Sequence, residues 1–371
     1  MKIAHIAPPW IRIPPKNYGG TELVIYDLIE EQVAQGHDVT LFAPGDAKTS
    51  AKLISFFPQS LSEIGVPWTA HLRPYYHLLK SLKYASEFDI VHTHLSSSSD
   101  MYIFPLTAHL TTPHVTTLHS RFPFERTGEW IGGEADTYFM EWAPYVPIVA
   151  ISETAKAEVR HPLHFVGIVH HGLPMKDFRP TEEKRGDFFA WLGRIIPDKG
   201  THLAVEAAKR AGVPIVLYGT VDSHQLDSIR YFEELVKPLI DNEQVKYEGP
   251  ANMEQKIKLF SQARGFLNPL QWEEPFGMVM IEAMALGCPV ISFKRGAAPE
   301  IVENGKTGFL VDNLQEMVQR ISHIDDIDRN YTRRYVERNF SAKAMVEKYV
   351  DIYKKVIMMS KEASAGISST P

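Results

Sequence analysis

Glu274-Pro-Phe-Gly-Met-Val-Met-Ile-Glu282 is the stretch of this 371-residue chain that most clearly predicts a local structure and a chemical role. The turn sequence Pro-Phe-Gly is followed by apolar side chains at roughly helical spacing, and Gly287 suits the end of a helix. The sequence therefore predicts a helix over residues 277–286. Glu274 would lie in the loop before it, at the positive helix end, where backbone amides can donate hydrogen bonds to a phosphate or a polarised sugar.

The two glutamates of this stretch suit the binding of sugar hydroxyls. An ionised carboxylate accepts two hydrogen bonds, so it can chelate a vicinal diol such as that of a ribose. Taken alone, glutamates near a helix start more often belong to a capped, solvated helix. Their interpretation therefore depends on the rest of the chain.

Apolar runs of strand length alternate with helical stretches in both halves, which is typical of parallel sheets flanked by helices. The length predicts two domains, and a polar break over 172–185 marks their boundary. Residues 314–359 have a helical pattern, and the Ser-, Ala- and Gly-rich end predicts a disordered tail over 360–371. Strands are predicted near 3–7, 39–42, 90–92, 114–118, 148–151, 166–170, 188–192, 215–218, 245–247, 265–268 and 290–292. Helices near 201–211 and 253–262 are predicted between strands of the second half.

Composition excludes several classes of function. The formal net charge of −6 argues against nucleic acid as a partner. The single cysteine, Cys288, excludes an internal disulfide and fits a reducing cytoplasm. We find no signal peptide and no run near the roughly 18 apolar residues of a membrane span, so we expect a cytoplasmic protein. A weakly basic amphipathic stretch over 71–83 leaves a weak peripheral membrane contact open, although we favour an ordinary surface helix.

Two loops that follow predicted strands carry residues suited to a phosphate or sugar ligand. Gly19 and Gly20 let the backbone approach such a ligand closely, and a tight turn is the alternative. At the equivalent point of the second half, Arg194 and Lys199 place two cations beside a helix start, an arrangement that suits a diphosphate. The glycine spacing differs from the dinucleotide fingerprint, so NAD is disfavoured.

Histidines form the third group. His92 and His94 alternate on a predicted strand and could hold a metal in a barrel-shaped hydrolase, completed by Asp89, Asp100 or Glu125. Two separate strand series and the glycine loops argue against this alternative, and we expect no metal. His119 ends the predicted strand over 114–118 and could hydrogen-bond to a sugar hydroxyl.

Together these motifs resemble the retaining glycosyltransferases of family 4, the glycosyl transferases group 1. The resemblance extends from residue 2 to about residue 353, and it implies the α/β GT-B architecture of two Rossmann-like doubly wound parallel-sheet domains facing each other across a cleft. It implies an acceptor-binding domain over 1–178, a nucleotide-sugar-binding domain over 179–341 and a helix over 342–359 that returns to the first domain. The segments that carry it are 18–22, 88–94, 149–153, 193–194, 199–200, 274–287, 299–302 and 304–308.

The resemblance also implies residue roles. Glu274 would contact the transferred sugar and Glu282 the ribose, while Arg194 and Lys199 would neutralise the diphosphate. His119 would lie near the reacting carbon. The remaining contacts to sugar and phosphates would come from Gly19, Gly20 and the amides of Phe276, Gly277 and Met278. Many relatives have Asn-Gly near the hinge where this chain has His171-Gly172, so that contact is not carried over.

The sequence thus predicts a retaining enzyme that moves a hexose from a UDP- or GDP-linked donor to a glycan, lipid or small-molecule acceptor. The resemblance implies that no metal or other cofactor is needed, because the cations and the helix end stabilise the leaving diphosphate. Two alternatives are a nucleotide-sugar epimerase or hydrolase of the same fold and a catalytically silent nucleotide-sugar-binding protein. The base, the sugar, the acceptor and the oligomeric state are left open.

Overall fold

A computed structural model describes residues 1–16, 19–123, 138–223 and 225–367. Its contacts divide the chain into two compact units. Unit 1 comprises Met1–Gly172 with the chain from Ala342 onward, and unit 2 comprises Leu173–Ser341. Unit 1 is therefore discontinuous in sequence, whereas unit 2 is continuous.

Unit 1 is built on a seven-stranded sheet in the order β3-β2-β1-β4-β5-β6-β7, and all of its pairings are parallel. Its central strands are buried along almost their whole length, as expected where helices cover both faces. The strands are β1 (Lys2–Ile6), β2 (Asp38–Phe42), β3 (Lys52–Ile54), β4 (Ile90–Leu95), β5 (His114–Leu118), β6 (Ile148–Ala150) and β7 (Phe165–Ile168). The helices described before unit 2 include α1 (Gly20–Ala34), α2 (Leu72–Leu82), α3 (Ile103–Thr107) and α4 (Glu153–Ala157), with 3-10 turns at Ala85–Glu87, Ser98–Tyr102 and Ala143–Tyr145.

Unit 2 contains a six-stranded parallel sheet in the order β10-β9-β8-β11-β12-β13. Its strands are β8 (Phe189–Arg194), β9 (Ile215–Thr220), β10 (Val245–Tyr247), β11 (Phe266–Asn268), β12 (Val290–Phe293) and β13 (Gly308–Val311). Its α-helices are α5 (Thr201–Ala211), α6 (Leu226–Tyr231), α7 (Met253–Gln262), α8 (Met278–Ala285), α9 (Ala298–Ile301), α10 (Leu314–Ile321) and α11 (Arg329–Asn339). Short helical turns lie at Pro197–Lys199, Phe232–Val236, Lys237–Leu239 and Ile324–Asp326.

The last helix, α12 (Ala342–Ile367), packs in unit 1 through side chains that include the fully buried Tyr349 and Tyr353. The boundary between the units lies at 172/173 rather than 178/179, because Leu173 already pairs with Ser341 and donates its N–H to Phe340 O at 2.8 Å. The helix continues through residues 360–367, where a disordered tail was expected. Lys361, Glu362 and the alanines that follow are good helix formers, and residues 368–371 lie outside the described part.

The α/β fold with two Rossmann-like parallel sheets is confirmed. The barrel required by the metal-hydrolase alternative is wrong, because the two sheets are open and each ends in edge strands. Two short strands, β3 and β13, were not predicted. Cys288 is buried and free, as expected. Within the described residues, no helix combines the length and the apolar character needed to cross a membrane.

Candidate functional site

Glu274 lies in unit 2, in the loop between β11 and α8, and it is held by two side chains. Lys199 Nζ donates to Glu274 Oε2, and Trp272 Nε1 donates to the same oxygen at 3.0 Å. Lys199 Nζ also lies 5.3 Å from the centroid of the Trp272 ring. The Lys199 and Glu274 side chains are only 18% and 14% exposed. The structure therefore brings together a cation, a carboxylate and an aromatic ring, a combination suited to binding a charged or polar ligand.

Glycines allow the loops around Glu274 to pack closely. A Cβ atom on Gly296 would lie 2.3 Å from Glu274 N, and the backbone there has a φ of 55°. Ala297 N donates to Glu274 O at 2.9 Å. A Cβ on Gly200, whose φ is 64°, would lie 2.1 Å from Pro269 O. Both positions therefore require glycine, for left-handed backbone as well as for space.

Glu282, on α8, is a buried and paired carboxylate. Only 6% of the residue is exposed, and Lys256 Nζ on α7 donates to its Oε1 at 2.7 Å. This pairing keeps the buried charge compensated. The sequence contains no motif that marks Lys256, because the ion pair exists only once α7 lies beside Glu282.

The other predicted residues of unit 2 lie at the ends of elements. Arg194 is the exposed last residue of β8. Gly277 is the N-cap of α8 with a φ of 93°, and Met278 is the first residue of that helix. Phe276 is buried, with its ring centroid 6.2 Å from that of Phe340. The predicted helix entry is thus confirmed, while the assignment of these residues to a ligand stays a prediction.

A cavity of about 280 Å³ lies beside the Glu274 loop. Arg295 crosses to this loop, where its Nη1 donates to Gln271 O at 2.6 Å and its Nε lies 3.6 Å from Glu273 Oε1. The sequence motifs did not identify this cavity. The cavity is lined by Gln271, Phe293, Lys294, Arg295 and Asp312.

Gly19 and Gly20 belong to unit 1, at the start of α1. A Cβ on Gly19 would lie 2.8 Å from Pro15 Cβ and 3.0 Å from Glu22 Oε2, whereas Gly20 has open space around it. The atoms that approach Gly19 closely therefore belong to the neighbouring residues Pro15 and Glu22. Glu22 is buried, and this burial raises the pKa of its carboxyl to about 7.

His119 also lies in unit 1, directly after β5, and it ends a chain of buried side chains. His119 Nε2 lies 2.9 Å from His94 Nδ1, and His94 Nε2 lies 3.1 Å from His5 Nδ1. The chain continues from His5 Nε2 to Gln32 Oε1 on α1, at 2.8 Å. The parallel register that sets His5 beside His92 places these rings on one face of the sheet.

A second branch joins this chain to α12. His92 Nδ1 lies 2.6 Å from the Tyr353 hydroxyl and His92 Nε2 lies 2.7 Å from Thr117 Oγ1. Gln32 Nε2 donates to the same Tyr353 hydroxyl at 3.3 Å, and the Tyr349 hydroxyl lies 2.8 Å from Thr117 Oγ1. Helix α12 thus completes a polar network inside unit 1.

Burial keeps these histidines neutral at physiological pH. It lowers the pKa of His5 to about 4 and that of His119 to about 3. For His92 and His94, burial first and the neighbouring histidines second lower the pKa well below its usual range. Each neutral ring therefore offers one N–H donor and one lone pair.

Possible ligand atoms of His5, His92 and His94 lie within 4.8 Å of one another. All six ring nitrogens have hydrogen-bond partners in the network described above. Of the predicted completing ligands, Asp89 accepts from Lys2 N, Asp100 accepts from Ser96 N and Ser97 N, and Glu125 lies outside the described residues. The ring nitrogens of these histidines thus form hydrogen bonds with one another and with neighbouring side chains. The absence of a metal requirement stays a prediction.

Two family models match the chain in tandem. Residues 18–175 match "Glycosyltransferase Family 4", and residues 175–339 match "Glycosyl transferases group 1". The O-antigen chain mannosyltransferase C of Escherichia coli is 24% identical, with 95% of this chain and 98% of that protein covered. The spore coat protein SA of Bacillus subtilis (strain 168) is 22% identical, with 96% and 100% covered. The structure of Anabaena Alr3699/HepE in complex with UDP has a TM-score of 0.69 at 19% identity, covering 96% of this chain and 100% of that one.

Proposed function

We propose that this chain is a retaining transferase for a hexose carried by UDP or GDP. It belongs to the glycosyl transferases group 1 family and has the GT-B fold. The acceptor is a glycan, a lipid or a small molecule. The observation that carries this proposal is the contact of Lys199 and Trp272 with a single oxygen of Glu274. Group 1 glycosyltransferase membership makes the chain an enzyme of sugar transfer, and this contact supports a role for these side chains in the transfer.

Lys199 is proposed to bind the donor diphosphate. When the donor is bound, its Nζ exchanges Glu274 for a phosphate oxygen, and Glu274 is released to accept hydrogen bonds from the transferred sugar. Arg194 and the N-terminal amides of α8, at Phe276, Gly277 and Met278, add positive potential. The leaving group gains negative charge as the glycosidic bond breaks, so these fixed charges stabilise the transition state more than the ground state.

Glu282 is proposed to bind the ribose of the nucleotide. Lys256 holds one of its oxygens, and the carboxylate retains further lone pairs for a vicinal diol. Alr3699/HepE was crystallised with UDP and also with UDP-glucose, which supports a nucleotide-sugar donor for this chain. Trp272 offers an apolar face beside the other pair, Lys199 and Glu274.

In unit 1, His119 is proposed to hydrogen-bond to a hydroxyl of the transferred sugar, and Gly19 and Gly20 to admit the donor to their loop. The acceptor attacks the face that the diphosphate leaves, and a phosphate oxygen takes its proton, so configuration is retained. Glu274 positions the sugar and is not the nucleophile. The cations of the chain supply the electrophilic stabilisation, and we propose that no metal is needed.

The test begins with a thermal-shift panel of UDP, GDP, ADP, UDP-glucose, UDP-N-acetylglucosamine and GDP-mannose in the presence of chelator. We expect a nucleotide-selective rise, which identifies the base, and the selected donor is then assayed for sugar transfer. A protein that binds donor but transfers nothing would be the silent alternative. Donor turnover without any acceptor would favour the epimerase or hydrolase.

Two variants then test the donor site. We expect Glu282→Ala to raise the donor KM strongly and Lys199→Ala to lower kcat more than it changes donor affinity. Unchanged kinetics in both variants would refute the proposed site. Activity that disappears with chelator and returns with a divalent cation would refute its metal independence.

A further inference from the structure

Gln32, His5, His94 and His119 form a continuous hydrogen-bonded chain that we call the histidine chain. Its three links measure 2.8, 3.1 and 2.9 Å, and its four residues are each at least nine-tenths buried. The chain begins on α1, crosses β1 and β4, and ends just after β5. Side chains from four separate segments are thus joined in one line.

In a row of hydrogen-bonded neutral imidazoles, all the hydrogen bonds are donated in the same direction. Each ring donates through one nitrogen and accepts through the other, so the tautomer of one ring fixes that of the next. If Gln32 Oε1 accepts from His5, then His5, His94 and His119 all carry hydrogen on Nε2. If the amide of Gln32 is reversed, all three carry it on Nδ1.

The far end of the histidine chain decides between these two arrangements. His119 Nδ1 is enclosed and has no hydrogen-bond partner among the described residues. In the first arrangement this atom is a lone pair, and in the second it is an N–H. Orphaned buried donors are rarer than under-satisfied acceptors, so the first arrangement is favoured. It also lets Gln32 Nε2 donate to the Tyr353 hydroxyl.

We propose that Gln32, His5 and His94 are positioning residues that hold His119 as the Nε2–H tautomer, with its Nδ1 lone pair kept for a hydroxyl hydrogen of the sugar substrate. This inference rests on the proposed function. Bulk water does not reach the enclosed Nδ1, so a sugar hydroxyl that moves the neighbouring side chains aside meets an unpaired acceptor. His94 and His5 act through His119 and do not contact the substrate.

The tautomer is measured first, without reference to activity. In protein labelled with ¹⁵N-histidine, two-bond ¹H–¹⁵N correlations distinguish a protonated ring nitrogen from a bare one. For His119 we expect hydrogen on Nε2 and a bare Nδ1 at neutral pH, with the same tautomer for His5 and His94. A His119 that carries hydrogen on Nδ1, or on both nitrogens, would overturn the inference.

Variants at position 32 test the positioning role. Gln32→Leu removes the acceptor that fixes the direction, so His119 should become a mixture of tautomers. Loss of one neutral hydrogen bond in the transition state is worth roughly 3- to 10-fold in kcat, and the donor KM should change less than this. Gln32→Glu retains an acceptor and should restore both the tautomer and kcat. Gln35→Leu, at the C-cap of the same helix, is the control, because Gln35 is exposed and its side chain bonds to Glu31 on the helix surface.

The outcomes separate this inference from the proposed function. If no donor is turned over by the wild-type protein, the function fails, and the tautomer measurement still tests the histidine chain. If transfer is observed but His119 has the other tautomer, the inference alone fails. A Gln32→Leu protein with mixed tautomers and unchanged kcat would also overturn it. If Gln32→Leu does not fold, the Gln32→Glu variant and the wild-type spectrum decide.

Discussion

Gly296→Ala should displace Glu274 without changing the chemical identity of any side chain in the proposed site. The new Cβ would lie 2.3 Å from Glu274 N and 2.4 Å from Glu274 O. Carbon and backbone atoms pack at about 3.5 Å, so the Glu274 backbone must move by roughly 1 Å. A misplacement of this size costs up to about 100-fold in rate when it falls on a positioning residue. We therefore expect kcat/KM to fall by between about 10- and 100-fold.

Stability should fall as well. Left-handed backbone costs an alanine roughly 1–2 kcal/mol, and overpacking adds about 1–3 kcal/mol. The free energy of unfolding, measured with urea, should therefore decrease by roughly 2–5 kcal/mol.

Gly305→Ala is the matched control for this experiment. Gly305 has a φ of 79° in the same unit, and a Cβ added there would have open space within 4 Å. The control should show the strain of about 1–2 kcal/mol alone, with normal kinetics. If the two variants have equal kinetics, the position of Glu274 does not govern transfer, and the reasoning is refuted.

Three further predictions concern other buried groups. Lys256→Met leaves the Glu282 carboxylate buried without its partner and should raise the donor KM and lower the free energy of unfolding by about 3 kcal/mol. Lys258→Met, at an exposed pair, should change it by less than about 0.5 kcal/mol, and equal effects of the two variants in donor titration and urea unfolding would exclude a specific role for Lys256. Burial lowers the pKa of His77 to about 4, so the unfolded chain binds the proton first as pH falls below 6.5, and stability should decline from pH 6.5 towards 4. His77→Gln should make this decline shallower in thermal melts, and an unchanged slope would contradict the lowered pKa. Burial raises the pKa of the Cys288 thiol to about 11, so a thiol reagent should leave the native protein unmodified at pH 7.5 and react in urea; rapid labelling of the native protein would count against the described packing.

Strong local signals made much of the fold predictable. The predicted helices over 201–211 and 253–262 match α5 and α7. Helix α7 is capped by Asn252, whose side chain accepts from Gln255 N while the Gln255 side chain accepts from Asn252 N, so its start is fixed by adjacent residues. The prediction succeeded where the determinants of structure lie within a few residues of one another.

The unpredicted strands lack such determinants. β3 is a three-residue edge strand that begins with an exposed lysine. β13 begins at Gly308, where a Cβ would lie 2.0 Å from Val290 O on the neighbouring strand. A glycine after the turn sequence Asn304-Gly-Lys-Thr indicates a loop locally. Gly308 allows β13 to approach the neighbouring strand closely, and this can be recognised only when the position of that strand is known.

The residues of the candidate site also fall into two groups, those that sequence motifs identified and those whose role depends on packing between elements. Glu274 and Lys199 were singled out from separate motifs, and the structure brings them into contact. Trp272, which bonds to the same carboxylate, and Lys256 were not singled out as partners, since their contacts depend on packing between elements. His94 was noted for its spacing from His92, but His5 and Gln32 joined it only through strand register and the position of α1.

Helix α12 has a consequence for how the protein is made. On the ribosome, residues up to Gly172 emerge first, but the hydroxyls that bond to His92 and Thr117 belong to tyrosines near the other end of the chain. At about 5–20 residues per second, translation of the intervening unit takes roughly 10–30 s. Unit 2 can complete its core during that interval, whereas unit 1 waits with unpaired polar groups in its interior. A nascent chain stalled before Tyr349 should therefore display a folded second unit and a protease-sensitive first one.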